Sequence, residues 1–255
     1  MSVKKRIVLV GTKNVVFCVA IAVLLAVVGS ASAQLTWGPA EDVVVQAGDN
    51  IVENAFSELG WDAGACGEAN CDFQFNSLTV TGGYLEAERL YSGTVQEHVI
   101  NISGGHLKER GGVATLGYDH NSTINQSGGI LETSGFTAIG RSAGTTEYNL
   151  SGGQLLIGSD TPGGNGNLYM PGNDPNCCGG YGSPGVVNFS GGEIVIKAED
   201  WSPTGLDIIG QSWFNAPNGA TATWDGQATT VTVPEPACLA LMGLGGLMML
   251  WRRRA

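Results

Sequence analysis

Residues 100–107 read INISGGHL. The same frame returns as LTVTGGYL at 78–85, INQSGGIL at 124–131, YNLSGGQL at 148–155 and VNFSGGEI at 187–194. The first glycines of the pairs, Gly82, Gly104, Gly128, Gly152 and Gly191, are separated by 22, 24, 24 and 39 residues, so the last interval is one period of 24 plus fifteen. Within each frame apolar and polar residues alternate, which is the period of a strand. Leu78, Ile100, Ile124, Tyr148 and Val187 form one column, and Val80, Ile102, Gln126, Leu150 and Phe189 form the next. Leu85, Leu107, Leu131, Leu155 and Ile194 make a third column after the glycines, and a further short strand ends at Leu116-Gly117, Ile139-Gly140 and Ile209-Gly210.

A period of about two dozen residues, cut into two or three short strands by glycine corners, predicts an all-β chain: a right-handed parallel β-helix or β-solenoid of five or more coils. Coils stacked about 4.8 Å apart bring the like residues of each column into contact. The paired glycines suit sharp corners, where positive φ or close backbone approach excludes a Cβ. A phosphate-cradling loop is the other use of such glycines, but the frame recurs five times and lacks the Lys or Thr of a nucleotide loop. Asn101, Asn125, Asn149 and Asn188 share a column, with Ser103, Ser127, Ser151 and Ser190 two places on. Stacked amides can hydrogen-bond along the axis; the same residues also read as Asn-x-Ser acceptors.

The rest of the chain divides around this array. Residues 34–77, with Val43-Val44-Val45 and a loop holding Cys66 and Cys71, are expected to form an N-terminal cap; residues 78–220 hold the repeats. The fifteen extra residues fall in a loop at 161–185, where Tyr169, Met170 and Tyr181 are candidates for glycan contact. Residues 221–232, with Thr223, Trp224, Thr230 and Val231, are expected to supply final strands. In an oxidising compartment Cys66 and Cys71 can close a small disulfide loop, whereas the adjacent Cys177 and Cys178 are badly placed to pair with each other.

Both ends carry addresses. Lys4, Lys5, Arg6 and Lys13 precede an apolar run from Val15 to Val28, and Ala31-Ser32-Ala33 has the small-x-small form that signal peptidase accepts, which places cleavage before Gln34 and makes residues 1–33 a signal helix. An uncleaved anchor is the competing reading. At the C-terminus Val233-Pro234-Glu235-Pro236 leads into fifteen uncharged residues, Ala237 to Trp251, and then Arg252, Arg253 and Arg254. As a transmembrane helix 237–251 spans about 22 Å against a hydrocarbon core of about 30 Å, a short anchor with a cytoplasmic basic stop.

These three parts in this order resemble the PEP-CTERM sorting signal, over 233–255 only. The resemblance implies that Pro234, Glu235 and Pro236 are recognised by exosortase, a membrane transpeptidase-like enzyme, that the tail is processed, and that the protein belongs with exopolysaccharide production. The prolines hold Glu235 extended and outside any helix, as a protease cleft requires. A permanent tail anchor is the alternative.

Residues 34–236 hold all 23 acidic residues, Glu235 of the sorting signal included, but only five of the twelve basic ones (Arg89, Lys108, Arg110, Arg141 and Lys197), a formal charge of 5 minus 23, or −18. That excludes a nucleic-acid partner. No metal set is apparent: there is no Cys-x-x-Cys pair, clustered His, EF-hand or RTX pattern. Glu86, Glu88, Glu109, Glu132 and Glu193 read mostly as solvent-facing repeat positions, and His98, His106 and His120 as scattered surface histidines. No catalytic residue and no cofactor is therefore expected. The reading is an exported protein, membrane-held through its tail and then at the cell surface or in the extracellular matrix, with a structural or adhesive role. Signal peptidase, exosortase and extracellular polysaccharide are its expected partners. The rival is a polysaccharide lyase or hydrolase on the same scaffold, distinguished by carboxylates that converge in one groove.

Overall fold

The computed structural model describes residues 41–52, 58–59, 75–93, 96–118, 120–141, 144–158, 168–170 and 185–234. The signal segment with Ala31, Ala33 and Gln34, the four body cysteines, Tyr181, most of the 161–185 loop, and the tail from Glu235 to Ala255 lie outside them.

The described chain is almost wholly β. In order it runs β1 (Glu41–Val45), β2 (Asn50–Val52), β3 (Glu58–Leu59), β4 (Phe75–Ser92), β5 (His98–Leu116), β6 (Ser122–Thr133), β7 (Phe136–Ile139), β8 (Thr146–Ile157), β9 (Leu168–Tyr169), β10 (Val186–Lys197), β11 (Phe214–Asn215), β12 (Thr221–Trp224) and β13 (Ala228–Thr232). All thirteen belong to one sheet, whose main path is β1-β4-β5-β6-β8-β10-β13-β12. From β1 to β10 every pairing on that path is parallel.

The register is the one that the columns demand. Val43 pairs with Leu78, Leu78 with Ile100, Ile100 with Ile124, Ile124 with Tyr148, and Tyr148 with Val187. Past the glycines Ile51, Leu85, Leu107, Leu131, Leu155 and Ile194 stack likewise. All of these side chains are buried. Each such side chain withdrawn from water contributes about 1.5–3 kcal/mol, and none has a core to enter without the repeat above or below it. A third leg stacks beside the first two: residues 89–92 of β4, 113–116 of β5, β7 and then β9. β9 takes this place from within the long interval, so β8 and β10 remain direct neighbours despite 39 residues between their glycine pairs.

The glycine pair sits inside each long strand and bends it. Gly153 has φ +81°, and a Cβ on Gly152 would lie 2.5 Å from the Ser127 carbonyl oxygen of the repeat before. The next strand therefore approaches where only a hydrogen fits. Two further details depart from expectation. Ile209-Gly210 does not end a strand: Ile208–Gly210 is a 3-10 turn capped by the Asp207 side chain. Leu116 and Ile139 end the third leg, which continues through Leu168 and Tyr169 toward the buried Met170, whereas Ile157-Gly158, where Gly158 has φ +78°, ends the second leg with Ile157 paired to Thr133.

At the C-terminal end the pairing reverses. β13 runs antiparallel to β10 and to β12, and its Val231 and Thr229 continue the buried columns of Ile194 and Ile196. Beside it β11 extends the first leg in parallel, Phe214 over Val187 and Asn215 over Asn188.

Candidate functional site: two outer ladders and the chain exit

Because inward positions alternate with outward ones, each leg presents outer columns, and the first two legs differ in chemistry. On the first leg the asparagines form a ladder. Asn125 donates to Asn101 at 3.0 Å, Asn149 to Asn125 at 3.0 Å, Asn188 to Asn149 at 2.8 Å and Asn215 to Asn188 at 3.1 Å. In each internal rung the amide N–H of one residue meets the amide oxygen of the preceding one, so Asn125, Asn149 and Asn188 spend a donor and an acceptor on the ladder. The fifth rung, Asn215, was not legible in the sequence because it lies outside the glycine frame. The flanking serines Ser103, Ser127, Ser151 and Ser190 are exposed, and Ser151 Oγ donates back to the Gln126 carbonyl at 3.3 Å.

On the second leg the outer columns are charged. Glu86, Lys108 and Glu132 lie in one register row across β4, β5 and β6, with Tyr84 and His106 in the row beside it. Lys108 Nζ stands 3.2 Å from Glu132, and His106 Nε2 lies 2.6 Å from the same carboxylate. Arg110 donates through Nη1 to Glu86 at 2.7 Å and through Nε to Glu88 at 3.0 Å. Tyr84 donates its hydroxyl to Glu86 and meets the His106 ring edge-on at 5.1 Å. Burial and the hydrogen bond to Glu86 push the Tyr84 phenol up to about 12. For Glu86 burial pulls the other way, but the Tyr84 and Arg110 hydrogen bonds and the Arg110 and Lys108 charges outweigh it and hold the carboxyl below its usual range. The Tyr84–His106 row continues through Ile130 to Gln154, which donates to Glu193 at 2.5 Å, whereas the Glu86 row passes to Leu156 and Val195.

This arrangement corrects the sequence reading of the glutamates. Glu86 and Glu88 are partly exposed as outward residues, but Glu132 is buried beneath its partners and Glu109 is fully buried. Glu109 occupies the inward column of Ala87 and Thr133. Its carboxylate accepts from Val113 N–H at 3.0 Å and Ser134 N–H at 3.2 Å, where β5 carries two residues more than β4. Burial raises its pKa and those backbone donors only partly offset the rise. Strict alternation from Leu107 would have placed Glu109 inward. Nor are the histidines all surface groups: His98 is buried, accepts from Gly93 N–H at 3.0 Å, and is held down at about 4 by burial and by His120.

The residues proposed for glycan contact divide differently from expectation. Met170 is in the core, and Tyr169 stacks on Phe136 at 5.5 Å. Gln126, the polar member of an apolar column, is buried and satisfied by core partners, accepting from the Tyr148 hydroxyl at 2.5 Å and donating to the Gln154 carbonyl at 2.9 Å. Among the described residues no three His, Cys, Asp or Glu side chains gather as a metal group, and no helix is long and apolar enough to cross a membrane.

Of the tail, Val233 and Pro234 are described. Val233 packs against the core and Pro234 is exposed, directly after β13. The described chain is thus all-β, built of stacked strands, and its last strand ends two residues before the exposed Pro234. Residues 232–254 match the PEP-CTERM protein-sorting motif, so this is a PEP-CTERM protein, an exosortase substrate directed to the surface or beyond. No curated protein and no solved structure matches the chain.

Proposed function

We propose that the body is a right-handed parallel β-solenoid, exported through its N-terminal signal and held in the membrane by the 237–251 segment until exosortase processes the tail. At the surface or in the matrix it serves as a non-enzymatic structural or adhesive element associated with exopolysaccharide. One observation carries this reading: strands of successive repeats pair in parallel, with a third leg running from β3 to β9 and every inward column of the first two legs running through the stack. Parallel crossovers within a sheet are right-handed in nearly all cases, which supports the hand. A long, regular, edge-capped stack with an outward amide ladder is a shape for spanning and presenting rather than for enclosing a substrate. Recovery of the protein from its native envelope, with both termini read by mass spectrometry and its retention measured with and without exopolysaccharide, tests the proposal; a soluble product unaffected by loss of polysaccharide would remove it.

A second reading has a specific observation in its favour. Glu86, Glu88 and Glu132 converge with His106 and Tyr84 on one strip, as a carbohydrate-active enzyme would require. The charges there oppose it. Glu86 and Glu132 stand two repeats apart, roughly 9–10 Å along the stack, with Lys108 in the row between them. Arg110 and Lys108 neutralise the carboxylates that hydrolysis would need as acid and base. Turnover of polysaccharides that disappears in Glu86→Gln and Glu132→Gln but survives in Glu193→Gln would establish the enzyme instead.

A further inference from the structure

The matched motif begins at Thr232, and Thr232 is part of the sheet. It pairs on one side with Glu193 of β10 and on the other with Thr221 of β12, and the Thr232 and Thr221 hydroxyls are 3.2 Å apart. Val231, one residue earlier, is fully buried, and Val233, one residue later, is packed against the core. β13 is tied down along its length: Thr229 Oγ1 accepts from Trp201 N–H and donates to the Glu199 carbonyl, both at 2.8 Å, and Ala198 N–H donates to the Gln227 carbonyl at 2.7 Å. Pro234 is the first exposed residue and, lacking an N–H, ends the ladder.

From Thr232 to Ala237, where the apolar run starts, the chain can reach at most about 18 Å fully extended. An enzyme that takes this segment as an extended peptide needs room on both sides of Pro-Glu-Pro. One side is the apolar run and the other is a paired strand. We propose that folding of the C-terminal hairpin and sorting compete for the same residues. Exosortase takes the tail when β13 is released from β10, and a fully docked β13 withholds it. The sheet edge thereby regulates its own processing, and opening at an element's end is the kind of local unfolding that folded domains undergo without global loss of structure.

This inference rests on the reading of 232–254 as a processed signal, and the test separates the two. The full chain is followed from precursor to product by pulse and chase in cells that contain the exosortase. One variant carries Gly-Ser-Gly-Ser inserted between Val233 and Pro234. A second, Val195→Cys with Thr230→Cys, places a disulfide across an antiparallel pair of β10 and β13, a separation within disulfide range. The expected result is processing several-fold faster with the spacer and several-fold slower in the oxidised lock, with reduction restoring the wild-type rate. Equal rates in all three chains would overturn the gating while leaving the signal intact. If wild type is not processed, or Glu235→Ala is processed as fast as wild type, the signal reading falls and the gating with it.

Discussion

The first and second legs of every repeat share one core yet meet solvent on opposite terms. The first leg is joined from rung to rung by neutral amides, Asn101 through Asn215, each repeating the bond below it. The second is joined by unlike charges, Glu86, Lys108 and Glu132 in one row with Arg110 at its side. The amide ladder is indifferent to where it starts, because every rung can serve the next. The charge ladder is specific to three repeats and gives way to apolar Leu156 and Val195 beyond them. One face therefore permits extension of the stack, and the other fixes which repeats are neighbours, since a slip of one rung would set Glu132 over Glu86 without the lysine between.

Substitutions break this comparison with graded force. The largest effect is expected where the two legs join. Gly153→Val places a β-branched residue at φ +81° with its Cβ 2.6 Å from the Gly128 carbonyl carbon. It should cost at least about 3 kcal/mol and melt both ladders together in chemical denaturation; independent loss of one leg would show that the repeat is not the cooperative unit.

Next in size is the amide ladder. Asn149→Ala removes two rung bonds and is expected to cost about 1–2 kcal/mol, and Asn215→Ala, at the end with one bond, about half as much. Equal losses at the two sites would mean that the ladder adds nothing beyond side-chain identity.

A smaller effect is expected from the charged row. A double-mutant cycle on Glu86 and Arg110 should give up to about 1 kcal/mol at low salt and less at high salt, whereas the Asn149 value should not move with ionic strength. Salt sensitivity on both faces would erase the distinction.

The smallest effect is a matter of sign. Glu109 has a raised folded pKa, so its contribution is fully present below the unfolded value of about 4.3 and is lost as pH rises through the folded one. Glu86 is lowered, so its contribution is present above about 4.3 and is lost as pH falls through its folded value. Because Gln stands in for the protonated carboxyl, both variants should track wild type in acid and part from it with opposite sign toward neutral pH, Glu109→Gln gaining stability relative to wild type and Glu86→Gln losing it. Parallel profiles would refute both assignments.

The stack's order and register were legible because the repeat writes each column five times, and a column that is apolar at every appearance has one place to go. The Asn ladder was legible for the same reason. Features that occur once were not. Alternation from Leu107 points Glu109 inward, but its donors, Val113 N–H and Ser134 N–H, come to it only through the register of β5 against its neighbours, which no single repeat shows. Ile209-Gly210 resembled a strand end because two residues cannot distinguish a strand from a 3-10 turn.

Sequence alone determined the period, the inward columns, the amide ladder and the terminal sorting motif, since each depends on residue identity at fixed spacing. Tertiary structure decided which outward carboxylates meet a cation, that Asn215 is a fifth rung, and that the motif's first residue, Thr232, belongs to a paired strand. Those facts depend on how far apart different repeats lie in space, and a chain's order says nothing of that until the backbone hydrogen bonds set the register.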